Sequence, residues 1–394
     1  MLAEKYDNTP VPQAATVEIG TECVRNCEGC SFKETQLQNL SSQEIAQAIT
    51  TLSKYWDSVA QLTDHQLIGS RIVELIGGAG VFNKMSEEDI KAMLEVARAN
   101  NLFQFAVMCD AEKDEEAIRR LFKTAADLET AKKTGMKTVV ALSVDALPKD
   151  NPTMQREEKS NPSWTMLGNK DEYIKDQETQ NFRVFTTISK ENLSEIPEIA
   201  KQVLESGAVL FIAPLTIHSE EALEGTGVTG RLLMGTNTEI LLDESNREEM
   251  EGVVHKLSQL KELYPNTFLN VEGTFDNMIE CCKPVTEGFR ANCKERCAFV
   301  TRDREELIAT PNFRVMKRPD REDMTLGVCT CMVGPTDDDD DYANTALAEL
   351  DRIAEGKSTT VELYRKLTAD LTRVACPGCN CRTSIDIQRG NGLV

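Results

Sequence analysis

Short apolar runs that alternate with amphipathic stretches over the first two-thirds of the chain constrain its fold most. Candidate strands are Val17–Gly20, Ile72–Gly77, Phe103–Met108, Val139–Val144, Phe182–Ser189 and Val209–Leu215, each rich in Val, Ile, Leu or Phe. Helical stretches lie between them. Ser41 to Tyr55 opens with Ser41 and Glu44 at capping-box spacing. Ser86 to Ala99 opens with Ser86 followed by Glu87, Glu88 and Asp89, which suit a helix N-terminus. Glu115 to Lys133 reads as one long helix or two, Ser194 to Ser206 stops before Gly207, and Arg247 to Leu263 stops before Pro265. Six strand–helix units imply a parallel α/β sheet, because parallel strands need crossover connections. A doubly wound sheet and a partial barrel both satisfy this pattern; strand order separates them.

The chain has 394 residues and a net charge of −21. This acidity argues against a protein whose main task is to grip nucleic acid or anionic lipid. No apolar run is long enough for a transmembrane helix, and the N-terminus lacks a signal pattern. Thirteen cysteines without such a signal favour metal binding over disulfides and a reducing, cytoplasmic setting.

Three of these cysteines, Cys23, Cys27 and Cys30, follow the first strand with the spacing C-x3-C-x2-C. Iron–sulfur clusters are normally held by four cysteines, so a tight group of three suggests a 4Fe–4S cluster with one iron open to a small molecule. Zinc is the alternative, although structural zinc sites usually close with four ligands. No histidine is near, since the chain has only His65, His218 and His255.

The spacing at the end of a first strand resembles the radical S-adenosylmethionine (SAM) superfamily. That resemblance implies a partial (β/α)6 TIM-like barrel over residues 1–270 and a SAM cluster on Cys23, Cys27 and Cys30. In the family one electron from the cluster cleaves SAM to methionine and a 5′-deoxyadenosyl radical. The resemblance also implies SAM contacts at successive strand ends. Gly77 and Gly78 look like the family's glycine turn for the SAM amine, with Ala79 where an acidic residue is usual. Ser143 and Asp145 stand where the ribose or carboxylate is often bound. Thr187, Ser189 and Asn192 match the fifth strand and its following asparagine, although Asn192 also reads as a helix cap. Backbone at Ile212 or Ala213 would face adenine. Gly29 stands where many members carry an aromatic residue.

After Val271 the alternation stops, and nine cysteines follow between Cys281 and Cys381. Residues 271–394 are therefore expected to form a small cysteine-rich auxiliary iron–sulfur domain. Asp337 to Asp341 reads as a solvated loop, with helical pattern from Ala343 to Val374. Gly288 to Cys293 matches the Gly-x4-Cys element of the family's SPASM extension, which carries auxiliary clusters; the remaining spacing departs from it, so the region is SPASM-like or Twitch-like. Candidate ligands for one or two auxiliary clusters are Cys282, Cys293, Cys297, Cys329, Cys331, Cys376, Cys379 and Cys381, with Cys281 beside the first. Structural zinc is again the alternative.

Cys109 stands apart. It follows the third strand and is a candidate hydrogen-atom donor to a substrate radical, against the plainer role of a small buried residue. Overall the expectation is an enzyme that modifies a peptide or protein side chain and receives electrons from a flavodoxin- or ferredoxin-type donor, with no nucleic-acid or membrane partner. No leader-binding domain is expected ahead of the first strand. The alternatives are the same chemistry on a small molecule, such as oxidation or epimerisation of a sugar, aminocyclitol or cofactor precursor, and a non-catalytic iron–sulfur or zinc scaffold.

Overall fold

The computed structural model describes residues 14–25, 37–63, 71–150, 154–214, 242–270, 275, 278–279, 282, 313–317, 322–328 and 345–357. Nine strands among these form one sheet. They are β1 (Ala14–Gly20), β2 (Ile72–Gly77), β3 (Gln104–Met108), β4 (Lys137–Ser143), β5 (Gln180–Ile188), β6 (Val209–Pro214), β7 (Phe313–Met316), β8 (Thr325–Val328) and β9 (Thr345–Ala346). The helices are α1 (Ser42–Thr63), α2 (Glu87–Ala99), α3 (Glu115–Lys132), α4 (Gln155–Gly168), α5 (Lys170–Tyr173), α6 (Ile196–Glu205), α7 (Arg247–Leu263) and α8 (Ala348–Ala354).

Strand order decides between the two expected architectures. The sheet runs β6-β5-β4-β3-β2-β1-β7-β8-β9, and β1 to β6 are parallel to their neighbours in sequential order. A doubly wound sheet reverses its order at a switch point; β1 to β6 do not, and β7 then returns to lie parallel to β1 on its other side. Right-handed crossovers in one direction put every connecting helix on the same face. Accordingly α1 packs on α2, α2 on α3 and α6 on α7. The core between sheet and helices holds Val17, Ile19, Leu75, Val107, Val140, Leu142, Val184, Ile188, Leu210 and Ile212, the alternate positions of the strands. From α1 it receives Ile45, Ala48, Ile49, Leu52, Tyr55 and Trp56, all fully buried at helical spacing.

The opposite face carries Thr16, Glu18, Glu74, Ala106, Ala141, Ser143, Arg183, Phe185, Thr187, Phe211 and Ala213. Arg183 on β5 pairs with Glu74 on β2 across this face. Ala106 lies beside Glu74, and Ala141 beside Arg183. Three strand spacings separate the partners, about 14 Å in a flat sheet, so the ion pair requires the sheet to curl around this face. The result is an open, singly wound barrel arc.

The helix caps follow the sequence. Ser86 and Asp89 form the full capping box of α2, and Ser41 and Glu44 do the same ahead of α1. Residues 115–132 form one helix, α3, rather than two.

Three elements depart from expectation. β1 begins at Ala14, because the weak strand formers Ala14 and Ala15 are buried and paired with β2, and Ala15 and Thr16 also with β7. The α4 helix was not expected: its first buried residues, Glu157, Ser160 and Ser163, are polar, Pro162 interrupts the pattern, and apolar burial comes only at its end, with Met166 and Leu167. The region after residue 270 adds three strands to the barrel sheet: β7 runs parallel to β1, and β8 and β9 follow antiparallel. Helix α8 packs on α1. Residues 345–346, expected within a helical stretch, are strand. No described helix is long and apolar enough to cross a membrane.

Candidate functional site at the C-terminal rim

Strands β1 to β6 all end on one rim, and most of the expected contact residues lie there. β1 leads through Thr21 and Glu22 to Cys23, whose side chain is exposed. Residues 37–40 are tied back to the end of β1. Thr21 Oγ1 accepts the N–H of Leu37 at 3.0 Å, and the Leu40 N–H donates to Ile19 O at 3.0 Å. Gly20 has φ +147, and a Cβ there would lie 1.9 Å from Asn39 Oδ1, so only glycine fits.

The glycine turn after β2 is shaped by this loop. The N–H of Gly78 donates to Gly20 O at 3.0 Å, and that of Val24 to Ala79 O at 3.3 Å. A Cβ on Gly78 would meet Glu22 O at 2.2 Å and Cys23 Cβ at 2.8 Å. One on Gly77 would lie 2.8 Å from Ile19 Cγ1. Gly78 thus allows the turn after β2 to close on Glu22 and Cys23, and Gly77 allows β2 to lie against Ile19 of β1. The N–H of Ala79 donates to Cys23 Sγ at 3.3 Å. An exposed sulfur with a backbone donor already aimed at it fits a thiolate metal ligand. Cys27 and Cys30 lie outside the described residues, and among the described residues no cluster of three or more His, Cys, Asp or Glu is gathered as a metal site.

The loop after β3 ties the same region together. Arg25 forms a two-pronged ion pair with Asp110, with its second bond at 3.0 Å, and reaches Glu112 Oε2 at 2.7 Å. Burial pushes Asp110 up, but the Arg25 guanidinium and the N–H groups of Lys113 and Glu112 hold it below the usual carboxylate range. Asp114 accepts the N–H groups of Asp110 at 2.9 Å, Gly80 at 3.2 Å and Asn83 at 3.0 Å. Burial dominates there and raises the Asp114 carboxyl. Arg25, Asp110 and Asp114 were not anticipated; the position of Arg25 between two candidate ligands was the available signal.

Cys109 is buried in the core between sheet and helices, with Val107 and Ala111, and is not on the inner face. Burial pushes its thiol well up, with Asp114 and Asp110 adding to the effect.

Ser143, Asp145, Thr187, Ser189 and Asn192 meet in one hydrogen-bonded cluster. Asp145 accepts the Ser143 hydroxyl at 2.8 Å and the Thr187 N–H at 2.8 Å. Asn192 donates to the carbonyls of Asp145 and Thr187, both at 2.8 Å, and accepts the Ser189 N–H at 2.8 Å. It is 1% exposed and makes no cap bond. Its carboxamide clasps the β4 and β5 loops together. Lys159 of α4, unforeseen, donates to Ser143 Oγ at 3.0 Å and stands 3.8 Å from Asp145 Oδ2. The helix is stapled by polar bonds: Ser160 Oγ accepts the Asp145 N–H at 2.9 Å, Ser163 donates to Ser143 O at 2.9 Å, and Trp164 to Ala146 O at 2.7 Å.

At β6, both backbone groups of Ile212 are taken by one side chain. Asn270 accepts its N–H at 2.9 Å and donates to its carbonyl at 2.7 Å. Residues 267–269 pair with Leu210 beside it, so this edge is closed. Ala213 packs with Phe211 and Leu269. Cys282 is fully buried in the core cluster with Phe275 and Met278, and burial pushes its thiol up to about 11. Cys281, Cys293, Cys297, Cys329, Cys331, Cys376, Cys379 and Cys381 lie outside the described residues.

No protein-family model and no curated protein matches the chain. Among solved structures it is similar to Streptococcus suis SuiB, crystallised bound to precursor peptide SuiA, with 12% identity and a TM-score of 0.39. The likeness covers 66% of this chain and 49% of SuiB, so the chain spans about half of that protein. A similarity this low decides neither fold nor activity.

Proposed function

We propose that the chain is a radical SAM enzyme that modifies a peptide or protein side chain. One observation carries the radical SAM part. A C-x3-C-x2-C loop leaves the end of the first strand of a sequentially ordered parallel arc, and its first thiol is exposed on the rim where all six strands end. Active sites of barrel folds are built at that rim.

Cys23, Cys27 and Cys30 would hold a 4Fe–4S cluster. When bound, that cluster supplies the electron that cleaves SAM reductively. The rest is the work of the chain's own side chains. Gly77 and Gly78 bring the turn after β2 against Cys23, leaving backbone to meet the amino acid end of SAM. Asp145, Ser143 and Thr187 form a polar wall for ribose hydroxyls, and Lys159 adds a positive charge suited to a carboxylate. Ser189 and Asn192 hold that wall in place. Ala213, beside Phe211 and Leu269, offers an apolar border for adenine, whereas the Ile212 backbone is occupied by Asn270. The cysteines after residue 280 would carry one or two auxiliary clusters in electron exchange with the site and with a flavodoxin- or ferredoxin-type donor. The peptide substrate class is supported by the SPASM-like Gly-x4-Cys element.

The test is anaerobic incubation of the reconstituted chain with SAM and dithionite. Release of 5′-deoxyadenosine by the wild type, and none by the Cys23→Ala/Cys27→Ala/Cys30→Ala variant, is expected. Equal release by both would overturn the proposal. Turnover of a metabolite with no mass change on any peptide would overturn the substrate class alone.

A further inference from the structure

We infer that Arg25 and Asp110 form a clamp that positions the cysteine loop for its metal group; the inference rests on the function proposed above. Arg25 lies between Cys23 and Cys27, yet its guanidinium bonds to a residue 85 positions away, at the end of β3. Both side chains are largely covered, at 13% and 5% exposure. The bidentate fork fixes direction as well as distance.

Asp110 is itself set in advance. Its Oδ1 accepts the N–H groups of Glu112 at 3.1 Å and Lys113 at 2.9 Å, and its own N–H is held by Asp114. Asp114 also holds Gly80 and Asn83 in the loop after β2. From there Ala79 returns to the cysteine loop, accepting from Val24 N and donating to Cys23 Sγ. The bonds thus close a ring through three loops, with Cys23 inside it. A loop that must present three sulfurs in one geometry loses conformational entropy when it binds. Bonds among the chain's own side chains that restrict this loop lower that cost. Arg25 and Asp110 are therefore positioning residues.

The test uses the full chain after anaerobic reconstitution, as wild type, Arg25→Gln, Asp110→Asn and the double variant. Asn at 110 keeps an oxygen for the two N–H groups of its turn, so the change falls on the fork. The readouts are the rate of iron loss to a chelator, the electron paramagnetic resonance signal of the reduced cluster with and without SAM, and the thermal midpoint. Outer partners of metal ligands typically alter metal affinity by roughly 10–100-fold. Each single variant should lose iron about tenfold faster, with an altered signal, and the double variant should be no worse than either single. The clamp is overturned if either single variant loses iron at the wild-type rate, if the two effects multiply in the double, or if the thermal midpoint falls in step with iron loss. Should Asp110→Asn fail to fold, Arg25→Gln decides alone by the same rate, signal and midpoint. A wild type that takes up no cluster is a different result, and removes the proposed function and the clamp together.

Discussion

Gly78→Ala adds one methyl group and should damage the rim. The added carbon would stand 2.2 Å from Glu22 O and 2.8 Å from Cys23 Cβ. An ordinary carbon–oxygen contact is roughly 3.3 Å, so the cysteine loop must move by about 1 Å. Both obstructing groups lie on the main chain or at its first side-chain carbon, so no flexible tip can swing aside. Overpacking of this kind typically costs about 1–3 kcal/mol. Displacement of a reacting group by about 1 Å can cost on the order of 100-fold in rate. Gly252→Ala is the matched control: it lies inside α7 with nothing within 4 Å of the added carbon. It should stabilise by about 0.5–1 kcal/mol through helix propensity. Urea unfolding of the two variants, with SAM cleavage measured beside it, checks the pair. Gly78→Ala unfolding like the wild type, with SAM cleavage intact, would refute the close approach of β2 to the cysteine loop.

Asn270→Ala strips partners from the Ile212 N–H and carbonyl at a buried sheet edge, and should destabilise by about 2–4 kcal/mol in urea melts; a loss under ~0.5 kcal/mol would mean that water replaces the amide. Glu74→Gln removes the charge that faces Arg183 on the inner face, where an uncompensated buried charge costs about 3–5 kcal/mol, and Glu74→Gln/Arg183→Met should recover much of that loss. Asp243 is held down to about 2 by Lys190, and then by the hydroxyl of Ser245. Its folded pKa is depressed, so the stabilisation is complete above the usual aspartate range near 3.8 and is lost as pH falls toward 2. Because the pair is largely exposed, Asp243→Asn should cost only about 0.5–1 kcal/mol at pH 7. The difference should shrink when the melts are repeated near pH 3.

The six parallel strands and most of their helices were legible because apolar periodicity and capping pairs are local. Ser86 with Asp89, and Ser41 with Glu44, announce their helices without tertiary help. What escaped was set by tertiary contacts. Helix α4 turns Ser160 and Ser163 inward and buries apolar residues only at its end, Met166 and Leu167, which leaves no hydrophobic stripe along it to read. Asn270 completes a strand edge with a side chain, which no period betrays. The strands β7 to β9 are short and fall among cysteines whose spacing suggested a separate unit; they become strands by pairing with β1. At the rim, Cys23, Ser143, Asp145, Thr187 and Asn192 were singled out by their positions at strand ends. Arg25, Asp110 and Lys159 were not, because their partners come from other loops.

The most direct measurement is iron per chain after anaerobic reconstitution, in the wild type and in the Cys23→Ala/Cys27→Ala/Cys30→Ala variant. A radical SAM enzyme with auxiliary clusters should hold roughly eight or twelve irons, and the variant about four fewer. A variant that loses none, or a wild type that takes up zinc in place of iron, would contradict the SAM cluster and leave a metal scaffold in its place.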